Sequence, residues 1–213
     1  MADFLNKLIK FPNINIEVKP INILYNTELS SILLCEETKT KAQFCIKIIS
    51  TKKNDTYQRN IIKTEIELLQ KMKNEKNIVQ MYDFFYLQKN NHLYCLILME
   101  YCKYHTLLEY IDKNQILDDA KIYSIISQIA NGLKSIHKNK YYHRDLRPEN
   151  ILLRNETDKD IEIAICDFGS ATNQIYPNND KFKNTNNTNS INDLLFDLYS
   201  KTNIIYRAPE EIP

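Results

Sequence analysis

The sequence predicts an α+β fold in two parts, the first β-rich with one helix and the second mainly helical. Two observations predict it. Apolar residues up to about position 100 alternate or form short runs, interrupted once by a stretch of helical spacing, and beyond that point the helical spacing takes over. The chain is also long enough, at 213 residues, to bury a core of one or two domains.

The elements follow in order. Ile14, Ile16 and Val18 alternate, and Phe44-Cys45-Ile46-Lys47-Ile48-Ile49 is a compact apolar run carrying one lysine, so 14–49 reads as short strands. Over 58–73 the period changes: Ile61, Ile62, Glu65, Leu68, Leu69 and Met72 share one helical face, with lysines opposite. Strand-like runs from Ile78 to Leu87 and His92 to Glu100 flank the polar turn Lys89-Asn90-Asn91. A short helix is expected near Leu107–Asp112 and a long one near Ala120–Lys138, striped by Ile122, Ile125, Ile126, Ile129, Leu133 and Ile136. Residues 178–192, rich in Asn, Thr and Lys, read as a mobile loop.

Composition narrows the function. A net charge of +1 does not point to a nucleic-acid or membrane surface, and the longest apolar run, Leu93–Tyr101, is too short to cross a bilayer. Five cysteines, odd in number and unpaired in spacing, suit reduced thiols in a cytoplasmic or nuclear protein. The first seven residues have no apolar core, so no signal peptide is expected. Glycine occurs only at 132 and 169.

The chemistry concentrates in three motifs. His143-Arg144-Asp145-Leu146-Arg147-Pro148-Glu149-Asn150 precedes Asp167-Phe168-Gly169, and Ala208-Pro209-Glu210 follows. In this order they closely resemble the catalytic loop, metal-binding segment and activation-segment end of eukaryotic protein kinases. The resemblance implies a two-lobed kinase-like fold, with an N-terminal extension over 1–19, an N-lobe over 20–101 and a partial C-lobe over 102–213. The activation segment would cover about 173–203.

By resemblance, Lys47 would reach the phosphates of ATP and Glu65 would hold it. Glu67 is the competing partner, about 200° further round the helix. Asp145 would accept the substrate's hydroxyl proton, with Arg147 beside it, and Asn150 and Asp167 would hold Mg²⁺ or Mn²⁺. His143 would pack, without moving a proton, beside Phe168, Leu69 and Met81. Leu98–Cys102 resembles the hinge: Met99 borders the adenine, the Glu100 and Cys102 backbones face it, and Ile32, Cys45 and Leu152 sandwich it. Pro148-Glu149 looks like a serine/threonine kinase. Asp167–Thr172 and Tyr206–Glu210 resemble the group of cyclin-dependent, glycogen-synthase and LAMMER kinases.

Four departures from the pattern stand out. Tyr25, Thr27 and Ser30 occupy the positions of the three phosphate-loop glycines, where side chains hinder close backbone approach. Arg147 replaces the usual lysine. The stretch from Asp167 to Glu210 is long for a loop, and Asn203 falls where threonine is usual, unless Thr202 shifts into it. The sequence ends at Pro213, before the family's later helices, so the apolar faces of 120–136 and 151–165 are expected to lack part of their cover. Two readings therefore stay open. One is an ATP- and Mg²⁺-dependent serine/threonine kinase acting on protein substrates, helped by an activating or stabilising protein partner. The other is a truncated kinase or pseudokinase that serves as a nucleotide-binding or regulatory interaction module. Arg144 is expected to meet a phosphate on Thr185, Thr188, Ser190, Ser200 or Thr202.

Overall fold

A computed structural model describes residues 2–5, 7–114, 117–157 and 160–173. Expectations placed on 174–213, including the five phosphate acceptors, Asn203 and Ala208-Pro209-Glu210, lie outside the described residues. The chain opens with a short helix α1 (Ala2–Leu5) and strands β1 (Ile9–Phe11), β2 (Ile16–Asn26), β3 (Ser30–Glu37) and β4 (Gln43–Lys52). Helix α2 (Thr56–Lys71) and strands β5 (Met81–Lys89) and β6 (His92–Glu100) complete the first lobe. The second lobe holds α3 (Leu107–Asn114), α4 (Asp119–Lys138), a 3₁₀ turn at Pro148–Asn150, and the hairpin of β7 (Ile151–Glu156) and β8 (Ile161–Ile165).

The first six strands form one antiparallel sheet in the order β1-β2-β3-β4-β6-β5. Its central strand β4 is apolar on both faces because both are covered. Ile46 and Ile48 face a core completed by Phe4, Ile9 and Phe11, so residues within the expected 1–19 extension are packed into the lobe. Ile49, with Cys95 and Ile97 of β6, faces α2 and its buried Ile62, Ile66, Leu68 and Leu69. Asp55 caps α2 by accepting from the Gln58 amide at 2.9 Å, which satisfies a donor that the first helical turn leaves open.

The turn between β2 and β3 manages without glycine. Thr27 Oγ1 accepts from the Ser30 amide at 3.1 Å, Ser31 Oγ donates to Asn26 Oδ1 at 2.6 Å, and no residue from 25 to 30 takes a positive φ.

Three expectations need correction. The first is the strand read from Ile78: β5 begins at Met81, because 77–79 is drawn to β8 instead. The Val79 amide donates to the Ile165 carbonyl and the Ile165 amide to the Asn77 carbonyl, both at 2.9 Å. The second is the stripe of α4, which is narrower than its apolar spacing. Ile125 and Ile136 are buried, but Ile122 and Ile126 are exposed, so this face lacks part of its cover, as expected for 120–136. The third is the lack of cover over 151–165. Ile151, Leu153, Ile161 and Ile163 are buried together with Leu107, Tyr110 and Ile125 of the two neighbouring helices.

Candidate active site

Strand pairing brings the first group of residues together. Lys47 lies opposite Ile32 on β3, while Cys45, two residues earlier, lies opposite Met99 on β6. Side chains two apart, and those directly paired across strands, share a face. Ile32, Cys45, Lys47 and Met99 therefore stand on the side of the sheet that meets α2 and the second lobe.

Lys47 is nearly buried, and its ammonium bridges two carboxylates. Its Nζ lies 2.5 Å from Glu65 Oε1 and 2.9 Å from Asp167 Oδ1. Burial alone would lower the lysine's pKa, but the charges and hydrogen bonds of Asp167 and Glu65 reverse this and raise it, so the lysine stays charged. Lys47 in turn holds Asp167 at about 2, against the pull of burial. Glu65 is pushed up, chiefly because it is buried, even though Lys47 works against that. Glu67, the rival partner, faces outward near Lys63 at 3.7 Å.

The second group comes from the loop between α4 and β7 and the end of β8. Asn150 Nδ2 donates to Asp145 Oδ2 at 2.9 Å and to the Asp145 carbonyl at 2.8 Å, which fixes the carboxylate's direction. Partial burial raises the Asp145 pKa, opposed by Asn150 and then by the charge of Arg147. Arg147 also contacts Glu149 Oε1 at 3.1 Å through Nη2. Arg144 and Asp167 both adopt left-handed φ, at 67° and 60°, a conformation that costs free energy in non-glycine residues and clusters at functional sites.

His143 sits between the two groups, buried, with its ring 5.1 Å from Phe168 edge-on. Its Nε2 donates to the Cys166 carbonyl at 2.9 Å, and its Nδ1 accepts from the Asp145 amide at 3.3 Å. That pattern needs one protonated nitrogen, which suits a neutral ring, and burial pushes its pKa down in the same direction. Phe168, Leu69 and Met81 belong to one core cluster.

Of the remaining predicted residues, Glu100 and Cys102 are half-buried at and just past the end of β6, and Leu152 is half-buried on β7. His92, His105 and His137 lie apart: the first and last pack against Tyr94 and Tyr142, and His105 lies near Glu109. A cavity of 350 Å³ between α2 and the β5–β6 edge touches none of the predicted site residues.

Sequence reasoning missed Arg154 on β7 altogether. Its guanidinium pairs with Glu100 through both Nε and Nη2. A lone arginine in a strand run carries no spacing signal, so only the fold reveals it.

Two hard oxygen donors, Asn150 and Asp167, are available for a metal ion. Among the described residues no group of three or more His, Cys, Asp or Glu side chains is placed to hold one. Two protein donors fit Mg²⁺, which takes its other ligands from phosphate and water, and they do not fit zinc.

A family model described as the protein kinase domain matches residues 18–211. Calcium-dependent protein kinase 4 of Plasmodium berghei is 35% identical over 166 residues, covering 76% of this chain and 30% of that protein. A serine/threonine-protein kinase of Dictyostelium discoideum is 30% identical over 187 residues, 85% of this chain and 16% of its own length. Human serine/threonine-protein kinase ULK1 is 34% identical over 138 residues, 62% of this chain and 13% of its length. The chain thus spans less than a third of each of these curated relatives.

Proposed function

This chain belongs to the protein kinase domain family and resembles its serine/threonine members, and on that premise we propose an ATP- and Mg²⁺-dependent kinase that phosphorylates protein hydroxyls. The observation that carries the proposal is the Lys47–Glu65–Asp167 triad, standing beside the Asp145–Asn150 pair. Bound ATP and Mg²⁺ would supply the phosphoryl group and the positive charge that neutralises it, with Asn150 and Asp167 as the metal's protein ligands. Lys47, kept cationic by two carboxylates, provides fixed positive charge for phosphate oxygens. Asp145, steered by Asn150, accepts the proton of a substrate hydroxyl. Arg147 adds positive charge next to that carboxylate.

A protein substrate, an activating or stabilising partner and a cytoplasmic or nuclear location belong to this proposal. The five free cysteines support the location. The cyclin-dependent, glycogen-synthase and LAMMER subgroup rests on the Asp167–Thr172 and Tyr206–Glu210 motifs alone, and the relatives matched bear other names.

A second reading, a nucleotide-binding or regulatory module without turnover, is favoured by one observation. The turn over the expected phosphate site presents side chains at Tyr25, Thr27 and Ser30 where backbone access is needed. The test is thermal stabilisation by Mg·ATP in the wild type and in Lys47→Ala and Asp167→Ala. We expect a rise in melting temperature for the wild type and none for the variants. Equal shifts in all three would refute the nucleotide site.

A further inference from the structure

Arg154 lies on β7 in the second lobe, and its guanidinium reaches the first lobe through all three nitrogens. Nε donates to Glu100 Oε2 at 2.9 Å and Nη2 to Glu100 Oε1 at 2.5 Å. Nη2 also donates to the Ile78 carbonyl at 2.6 Å, and Nη1 donates to the Lys76 carbonyl. Glu162 Oε1, from β8, stands 3.6 Å from Nη1. Both the Arg154 and Glu100 side chains are only 16% exposed.

Glu100 is itself tied on a second side. Its Oε1 accepts from the Gln80 amide at 2.7 Å, and its own amide donates to the Gln80 carbonyl at 2.9 Å. Three pieces of backbone therefore meet at one ion pair: the end of β6, the 76–80 connection that leaves α2, and the β7–β8 hairpin. Each leads to a part of the candidate site. The end of β6 continues into the half-buried Cys102, α2 carries Glu65, and β8 runs into Asp167 two residues past its end.

An exposed ion pair would contribute little here. This one is largely shielded and bidentate, so it fixes orientation as well as distance, and a lysine could not copy its planar fork. The fork also satisfies two carbonyls of a connection that has no strand partner of its own in the large sheet.

We propose that Arg154 and Glu100 form an inter-lobe latch of positioning residues. The latch holds the end of β6 at a set distance from Lys47 and Asp167 and thereby sets the affinity for Mg·ATP. The affinity part rests on the kinase reading; the mechanical part does not.

The test uses the 213-residue chain and four variants: Arg154→Met, Arg154→Lys, Glu100→Gln, and the double variant Arg154→Met with Glu100→Gln. Lys63→Ala, at an exposed pair, is the control. Calorimetric titration reads the dissociation constant for Mg·ATP, and amide hydrogen exchange reads segments 76–80 and 98–102 beside 125–136 in α4. Arg154→Met and Glu100→Gln should each weaken Mg·ATP by about tenfold, the double variant no more than the worse single one, and Arg154→Lys should recover only part. Exchange should speed up about tenfold in 76–80 and 98–102 while α4 stays protected. A merely structural role would lower the melting temperature and leave the dissociation constant unmoved, and that result overturns the proposal. Additive losses, or exchange like the wild type in both segments, overturn it as well. If the wild type binds no Mg·ATP, the kinase reading fails, and the exchange comparison alone decides the latch. Should Arg154→Met unfold, Arg154→Lys carries the same comparison.

Discussion

At the scale of single residues, the site is organised by where protons are allowed to sit. Lys47 keeps its proton because two carboxylates face it, and Glu65, only 2% exposed, depends on that cation. Lys47→Met leaves Glu65 buried without a partner, so we predict a loss of about 3–5 kcal/mol at pH 7. Urea unfolding should show this loss partly relieved at pH 5, where Glu65 can take up a proton and bury a neutral group. His143 works the other way. Its folded pKa lies below the ordinary 6.5, so the unfolded chain binds the proton first as pH falls. Its contribution to stability is complete above about 6.5 and is lost below it, with a slope of up to about 1.4 kcal/mol per pH unit. The urea midpoint should therefore drop between pH 7.5 and 5.5. His143→Gln, whose amide can still donate to the Cys166 carbonyl without titrating in that range, should flatten the profile; an equally steep one would contradict the assignment.

Among the secondary-structure elements, α4 shows why one glycine is placed where it is. A methyl group at Gly132 would stand 2.7 Å from Ile165 Cδ1 and 2.9 Å from the Asn77 carbonyl oxygen. The isoleucine tip can move, but the carbonyl cannot, because it accepts the Ile165 amide. Alanine in a helix interior gains about 1 kcal/mol over glycine, whereas overpacking costs about 1–3 kcal/mol. The backbone contact decides the sign: Gly132→Ala should lower stability by about 1 kcal/mol, read as a lower urea midpoint. A raised midpoint would mean that α4 lies farther from β8 than the structure shows. Gly169 differs, since a methyl group there would meet its nearest neighbour at 3.4 Å, with Asp167 Oδ1 able to give way.

Taken as a whole, the molecule places its candidate site residues on two lobes and its stability partly on its first residues. Phe11 is fully buried between the sheet's outer face and Phe85, whose ring is 5.1 Å away. Phe11→Ala should cost about 3–5 kcal/mol, measurable by urea unfolding, and a change below about 1 kcal/mol would show that residues 2–11 are not part of the core. Asp145→Asn asks whether the assembled lobes turn over. In a kinase it should abolish phosphate transfer to a generic basic protein, since an amide cannot take the hydroxyl proton, while leaving the Mg·ATP thermal shift in place. Transfer that persists unchanged would remove Asp145 from the mechanism. Absence of transfer in the wild type, with binding retained, would leave the module reading.

Much of this was legible in the sequence, for a physical reason. The change of hydrophobic period marks strands and helices because it records which faces are buried, and that is a local property. The Asp145–Asn150 and Asp167–Gly169 motifs are short and contiguous, so their resemblance to kinase motifs could be read before any fold was known. Lys47 stood out as the one charge in an apolar run, and Glu65 as the acid on the apolar face of α2. The tertiary structure alone decided the rest. Nothing local tells Ile122 from Ile125, because the choice depends on which side of α4 meets α3 and the β7–β8 hairpin. Segment 77–79 is apolar enough for a strand, yet its hydrogen bonds go to Ile165 in the other lobe. Phe4, Ile9 and Phe11 find their place only because β4 offers a second apolar face. Arg154 has no motif, and its partners in the first lobe lie 54 and more residues away in the chain, so its part in joining the lobes exists only once the chain has folded.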